Sequence, residues 1–204
     1  MALRNSTAVR QGIRIEVATV VYMVFEAALA IGAGIAARSV LLAAFGIDSL
    51  LELASGGVLL WRLQVESTGG DLQRVERAER QAARWTVVLL ALLCVYILAA
   101  SIYGLITRAA PESSPVGIAV SLAAVLFMPY LAWRKRKIAG QIGSLALEDD
   151  ATASITCAYM AGTVLAGLVL NALLQWWWVE DAAALVFLIW LVRETVEAYE
   201  EASE

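Results

Sequence analysis

The sequence lacks histidine altogether and contains only two cysteines and three prolines in 204 residues. Without histidine the chain has no imidazole to act as a general base, and no zinc-protease pattern of histidine and glutamate. A nucleophilic Cys157 would therefore have no base beside it. Cys94 and Cys157 both lie in apolar runs and form neither a disulfide framework nor a zinc-finger spacing. We therefore do not expect an enzyme.

Charge is also scarce in this sequence. Only 17% of the residues are charged, 61% are hydrophobic, and the mean hydropathy is +0.73. Such a composition indicates a polytopic membrane protein in contact with the lipid bilayer. No basic stripe with interleaved aromatic residues indicates nucleic-acid binding. Residues 1–15 contain arginines but precede no short apolar core with a cleavage site, so we expect an uncleaved first span.

Six apolar segments follow one another along the chain and predict an all-α fold of six transmembrane helices. The predicted spans are residues 17–37, 40–63, 85–107, 116–133, a fifth that begins within 143–151 and ends near 175, and 179–192. Short links between them favour three hairpins of antiparallel helices. We expect a single domain over residues 1–204, with short cytoplasmic tails at 1–15 and 194–204 and no soluble C-terminal domain.

The links between the spans contain turn residues or charge. Gly69 and Gly70 precede alternating charges and predict a turn followed by a solvated stretch of helix leading into the third span. Residues 109–115 hold two of the three prolines and predict a short loop. Residues 134–137 are all basic and predict a compact loop, and the three tryptophans at 176–178 indicate a membrane interface.

The distribution of lysine and arginine predicts the orientation in the membrane. With the N-terminus inside, only Arg38 and Arg108 of the 15 basic residues lie on the outer side. Cytoplasmic segments of membrane proteins carry an excess of these residues. We therefore expect both termini in the cytoplasm of a cell whose inner membrane holds the protein.

Three acids lie within the first two predicted spans. Asp48 and Glu52 are four residues apart, so a helix places both carboxylates on one face. Glu26 lies about ten residues into the first span, which at about 1.5 Å per residue is near the same depth. An ionised carboxylate inside a bilayer is costly unless a cation, a proton or water accompanies it, so we interpret these acids as a functional site. The alternative is structural, with neutral acids hydrogen-bonded to the backbone or to Ser49 and Ser55.

A second polar stripe opens the fifth predicted span. Asp150, Ser154 and Cys157 are spaced i, i+4 and i+7 and share one helical face. Glu148 and Asp149 are instead expected in solvent at the start of the helix, where acids interact favourably with the dipole. For Cys157, a small core residue is an equal alternative to a metal ligand.

Together these features resemble those of a known protein family. The run Gly-Ile-Asp-Ser-Leu-Leu-Glu at 46–52, the six spans, and Thr-Cys-Ala-Tyr at 156–159 resemble the transmembrane domain of the cation diffusion facilitator family, in a compact bacterial branch. The resemblance covers residues 15–200. It implies a homodimeric efflux carrier for divalent transition metals, most often zinc, which exchanges metal for protons by alternating access. The metal is the substrate, and no cofactor is implied.

The resemblance also suggests which residues bind the metal. In the family, an Asp-x-x-x-Asp pair on the second span and a His-x-x-x-Asp pair on the fifth form the site. The first pair matches Asp48 and Glu52, and aligning Asp150 with the acid at the head of the fifth helix puts Ala153 and Cys157 in the ligand positions. This chain departs from the pattern, because it lacks histidine and the metal-sensing C-terminal domain, and its loop after span four is basic. The ligands expected here are Asp48, Glu52 and Glu26, with Asp150 or Cys157 completing the shell.

Carboxylate and thiolate ligands suit zinc, iron(II), cobalt or cadmium, whereas an all-oxygen shell favours manganese or magnesium. Two alternatives to a carrier stay open. One is a cation channel with the same acids along its pore, and the other is a non-transporting membrane subunit whose acids pair with a basic residue of a partner. Small residues on two spans predict close helix contacts, within a monomer or across a dimer. They are Gly32, Gly34, Ala158, Gly162 and Ala166.

Overall fold

The computed structural model describes residues 2–68, 72–108 and 111–203, and all regular secondary structure within those ranges is α-helical. These ranges contain six helices: α1 (Ala2–Ala37), α2 (Val40–Thr68), α3 (Leu72–Thr107), α4 (Pro115–Ile142), α5 (Leu145–Leu174) and α6 (Val179–Ser203). The predicted six-helix membrane protein is therefore confirmed. Gly69 and Gly70, which predict the turn between α2 and α3, lie outside the described residues.

Serine hydroxyls begin three of the helices. Ser39, Ser114 and Ser144 each accept a hydrogen bond from the backbone N–H three residues later, at 3.1, 3.1 and 3.3 Å. Such caps satisfy donors that the first helical turn leaves free. Pro115 at the first position of α4 and Gly143, with φ of 70° just after its end, delimit that helix. Local sequence chemistry therefore sets these boundaries.

Among the described residues, five helices are long and apolar enough to cross a membrane. Their candidate spans are Arg10–Ala37, Val40–Val65, Val87–Thr107, Pro115–Ile142 and Leu147–Leu174. The apolar part of α6 is shorter, because acids at 180 and 181 and charged residues at 193 and 194 flank it. Phe187 and Leu191 of α6 are nevertheless fully buried in the same core as the other helices, so α6 completes the bundle.

The observed helices extend beyond the predicted spans. Residues 134–137, predicted as a compact basic loop, are part of α4, and Lys135 among them is completely buried. That prediction was wrong because the charge of Lys135 is compensated by acids from other helices. Similarly, α1 begins at Ala2 and α6 continues to Ser203, so both predicted tails are mostly helical extensions of spans.

The packing of the helices differs from three consecutive hairpins. α1 packs along α2, but α3 packs mainly against α6 and α2, and α4 against α5 and α1. The buried face of α3, with Leu90, Leu93 and Ile97, belongs to the main core cluster rather than to an α3–α4 pair. The prediction of an α3–α4 hairpin was wrong, because a short link keeps two helix ends close but does not decide which faces pack.

Hydrogen bonds join the three short connections at one end of the bundle, here called the loop end. Ser39 donates to Glu180 Oε2, and Asn171 donates to Glu180 Oε1 at 2.9 Å, so residues next to the α1–α2 and α5–α6 links are tied together. The backbone N–H of Glu112 donates to the carbonyl of Ala37 at 2.8 Å and adds the α3–α4 link. The beginning of α1 and the end of α6 lie at the opposite end, here called the terminal end.

α1 and α2 approach each other closely where glycine removes a side chain. A methyl group at Gly34 would lie 2.6 Å from the backbone nitrogen of Ala43, and one at Gly46 would lie 2.7 Å from that of Ile31. No atom lies within 4 Å of the corresponding position at Gly32. The close contact predicted from Gly34 is thus present, whereas Gly32 does not contribute to it. Gly46 brings α1 against the turn of α2 that carries Asp48.

Candidate cation site

Asp48 and Glu52 lie one turn apart on the part of α2 that faces the interior of the bundle. Asp48 is completely buried, and neither of its carboxylate oxygens has a hydrogen-bond partner among the described residues. Oε2 of Glu52 is likewise buried and without a hydrogen-bond partner there. Burying an ionised carboxylate costs several kcal/mol unless a cation or hydrogen-bond donors compensate it. An uncompensated cost can be comparable with the whole free energy of unfolding of a domain. These oxygens therefore favour either a proton or a cation.

Glu26 of α1 faces the same region. Ser49 donates a hydrogen bond to Glu26 Oε1 at 2.8 Å, while Oε2 is buried and has no hydrogen-bond partner in the described chain. The phenol of Tyr22, one turn earlier on α1, interacts electrostatically with this carboxyl. The close contact at Gly46 makes the Ser49–Glu26 bond possible, because it holds the two helix backbones together. One oxygen of Glu26 is thus positioned by Ser49, and the buried Oε2, without a hydrogen-bond partner in the described chain, can take a proton or a cation.

Cys157 brings α5 to this group of acids. Its thiol is completely buried, and its surroundings include the carboxyl groups of Glu52, Glu26 and Asp48. Of the two candidate ligands on the fifth span, Cys157 is therefore the one that lies with the acids of α1 and α2. A thiol at this position adds a softer donor to a set of carboxylate oxygens.

Glu194 of α6, which the sequence predicts in the C-terminal tail, also carries charge that acts on Asp48 and Glu52. Its Oε2 atom is buried without a hydrogen-bond partner in the described chain. The sequence spacing along α6 indicates that Glu194 lies on its buried face. Phe187, Leu191 and Glu194 are related by i, i+4 and i+7 and so continue one buried face of α6.

Asp150, the other candidate on α5, lies in a different cluster. It forms an ion pair with Lys135 of α4, whose ammonium nitrogen also lies 3.2 Å from Glu16 Oε2 of α1. The side chains of Lys135 and Glu16 are completely buried, and that of Asp150 is 21% exposed. Lys135 also donates to Ser154 at 3.4 Å. We call Glu16, Lys135 and Asp150 the charged triad.

The charged triad lies next to the other acids, toward the terminal end. Oε1 of Glu16 is 2.9 Å from the position of a methyl group at Gly56, which is one turn beyond Glu52 on α2. Asp150 also interacts electrostatically with Glu52. Two carboxylates surround one ammonium group, so the triad has an excess of negative charge when all three side chains are ionised. The sequence did not predict Glu16 as part of the interior, because it precedes the first predicted span at 17–37, and it did not predict Lys135, because that residue lies in the predicted basic loop.

The two other acids near the start of α5 lie in solvent. Glu148 and Asp149 are exposed there, as expected for acids at a helix N-terminus. Within the described ranges, no three acid or cysteine side chains are close enough together to hold a single metal ion. The candidate ligands therefore do not form a common coordination shell in this structure.

A comparison with protein families gives one match. The family model described as the cation efflux transmembrane domain matches residues 15–203, which is nearly the whole chain. Among curated proteins, no significant match is found. The matched segment includes the acids and thiols of the interior, from Glu16 on α1 to Glu194 on α6.

Proposed function

The chain belongs to the cation efflux family and is a metal cation transporter of the membrane, and we propose that it exports a divalent transition metal, zinc first among them, in exchange for protons. The single observation that supports this most is the Asp48 carboxylate, completely buried with neither oxygen hydrogen-bonded in the described chain. Such a group needs a positive partner, and the substrate of this family is one. Iron(II), cobalt and cadmium fit the same donors.

In this proposal, the carboxylates of Asp48, Glu52 and Glu26 bind protons and the metal ion in turn. Their carboxylates hold protons when no metal is bound, because two like charges one turn apart in a low-dielectric interior repel each other. A divalent cation replaces those protons, since metal ligands bind in their deprotonated form. Cys157 provides a fourth donor from α5, and Asp150 becomes available only if it leaves Lys135. Exchange of protons for metal at the same oxygens couples the two fluxes.

The proposal also includes the orientation of the protein in the membrane and its oligomeric state. Both termini lie in the cytoplasm, because that orientation leaves only Arg38 and Arg108 on the outer side. The site opens alternately to the two sides of the inner membrane. The protein acts as a homodimer, as the resemblance to the family implies. Large apolar side chains exposed along α3, including Leu92, Tyr103 and Ile106, are suited to contact with lipid or with a second copy.

Uptake into proteoliposomes tests the proposal. The purified protein is reconstituted with an acidic lumen, and the uptake of zinc, iron(II), cobalt and manganese is followed for the unmodified protein and for Asp48→Ala. We expect saturable uptake that depends on the pH gradient and is lost in Asp48→Ala. Asp149→Ala is the matched control, because that acid is exposed on α5 and its loss leaves the interior unchanged. Absence of flux for all four ions, or full flux in Asp48→Ala, contradicts the proposal.

A further inference from the structure

An open groove on the outside of the bundle is lined by α4, α5 and α6. Its volume is about 830 Å³, which lies within the usual range of ligand-binding pockets, and most of its lining residues are apolar. Along α5 it extends from Ile155 to Leu170, a length of about 22 Å at about 1.5 Å per residue. One leaflet contributes about half of the roughly 30 Å hydrocarbon core of a bilayer. The groove is therefore long enough to take a whole acyl chain.

The floor and one wall of the groove have a defined shape. Gly162 forms part of the floor, and a methyl group at this residue would meet Val125 Cγ2 of α4 at 4.0 Å, an ordinary contact distance. The wall between α5 and α6 contains Tyr159 and Trp190, whose rings are stacked with centroids 5.5 Å apart. The groove is thus a cleft between packed helices that is open to the lipid, rather than a gap left by a loop.

Arg136 of α4 lies where the groove ends, toward the terminal end of the bundle. It follows the groove residues Val125 and Pro129 by eleven and seven residues, so it continues the same face of α4. Its guanidinium donates a hydrogen bond at 3.4 Å to the hydroxyl of Thr152 on α5, three residues before Ile155 of the groove. A cation is therefore held at the point where the lining of α4 and α5 stops.

A second exposed cation, Lys137, lies next to Arg136. Its ammonium group is 5.6 Å from the centre of the ring of Trp133, which is itself exposed. Tryptophan side chains favour the headgroup level of a membrane, so these two cations lie at that level too. Among the described residues, neither cation forms an ion pair with an acid, and the exposed Glu148 and Asp149 at the start of α5 are included in this statement. Both positive charges are thus available to a negatively charged group outside the protein.

We propose that this groove binds an anionic phospholipid, with an acyl chain between α4, α5 and α6 and the phosphate at Arg136 and Lys137. The inference goes beyond the proposed function and does not depend on it. Each basic residue near the membrane surface favours anionic over zwitterionic lipid, and the planar guanidinium of arginine fits the oxygens of a phosphate. In the orientation proposed above, this end of the bundle faces the cytoplasmic leaflet, whose surface potential is negative.

Native mass spectrometry of the purified full-length protein in detergent tests the headgroup site. Bound lipid is counted while dioleoyl phosphatidylglycerol or dioleoyl phosphatidylcholine is added, and because the acyl chains are identical, any difference arises from the headgroup. We expect phosphatidylglycerol to bind about tenfold or more tightly. The double variant Arg136→Gln, Lys137→Gln should lose this preference and bind both lipids equally. Arg10→Gln, Arg14→Gln is the matched control, because it removes two exposed charges from α1, outside the groove.

The variant Gly162→Leu tests the acyl-chain site. Its side chain extends into the groove without a backbone clash, since Val125 Cγ2 is 4.0 Å from the new Cβ. We expect both lipids to bind more weakly by a similar factor, while phosphatidylglycerol remains the preferred one. Glycerol phosphate, which has the headgroup chemistry but no acyl chain, should not displace phosphatidylglycerol at equal concentration.

Four results overturn the inference, and none of them depends on metal transport. The first is equal affinity of the unmodified protein for the two lipids. The second is an equal loss of preference in the Arg10→Gln, Arg14→Gln control, which would reflect general surface charge. The third is displacement of the lipid by glycerol phosphate, which would identify a site for a free phosphate ester. The fourth is a dimer that Gly162→Leu converts to monomers with unchanged lipid binding, since a second copy of the chain would then cover the groove.

Discussion

The ammonium nitrogen of Lys135 lies 3.2 Å from Glu16 Oε2, and both side chains are completely buried. The two residues are on α4 and α1, and Asp150 on α5 binds the same ammonium group, so one lysine connects three helices. A buried charge is retained only when its partners are in place, and removal of one partner leaves an uncompensated charge. The charged triad therefore makes the terminal end of the bundle dependent on Lys135.

Lys135→Met should destabilise the protein strongly. The substitution keeps an unbranched apolar stem but leaves Glu16 and Asp150 facing each other, and the expected loss is about 3–5 kcal/mol. Thermal unfolding in detergent measures it. Lys137→Met is the control, since Lys137 is exposed and its ammonium lies 5.6 Å from the ring of Trp133.

The same triad provides a rescue experiment. Replacing a whole buried ionic group by neutral residues is often harmless, because the desolvation cost disappears with the charges. The triple variant Glu16→Gln, Lys135→Met, Asp150→Asn should therefore unfold at a higher temperature than Lys135→Met alone. Equal unfolding temperatures for Lys135→Met and Lys137→Met would show that the triad does not contribute to stability.

Gly46→Ala should separate α1 from α2. Its methyl group would lie 2.7 Å from the backbone nitrogen of Ile31, so the helices must move apart, at an expected cost of about 1–3 kcal/mol. The Ser49–Glu26 hydrogen bond lies on the next turn, so we also expect weaker metal transport. Gly57→Ala on the same helix is the control, because no atom lies within 4 Å of its added methyl group. Unfolding temperature and initial uptake rate are the measurements, and identical behaviour of the two variants contradicts the expected separation.

Ser49→Ala should weaken metal binding with little effect on folding. Ser49 donates to Glu26 at 2.8 Å and orients this carboxylate, and loss of such a supporting hydrogen bond typically lowers metal affinity by about tenfold. Ser55→Ala is the control, because Ser55 is exposed and donates to the carbonyl of Leu51 in its own helix, at 3.4 Å. Calorimetric titration with zinc distinguishes the two. Unchanged affinity in Ser49→Ala would mean that Glu26 does not bind the metal.

The sequence was sufficient for the features that depend on local patterns. Long apolar runs predict all six helices, and the spacing of Asp48 and Glu52 predicts that they share an interior face. The predictions failed where burial depends on residues from distant parts of the chain. Lys135 lies in a run of four basic residues that resembles a loop, and only Glu16 and Asp150, more than ten residues away on other helices, make its burial possible. Glu194 was missed for a related reason, since a charged residue after an apolar run resembles the end of a span.

If Asp48 and Glu52 hold a cation whose binding displaces protons, zinc transport must change the pH inside proteoliposomes. This pH is recorded with a trapped fluorescent dye while zinc is added outside vesicles with an acidic lumen. For the unmodified protein and for Asp149→Asn, we expect the lumen to become more alkaline as zinc enters and protons leave. Asp48→Asn and Glu52→Gln should abolish this change. A zinc-dependent rise of normal size in Asp48→Asn would show that Asp48 does not exchange protons for the metal.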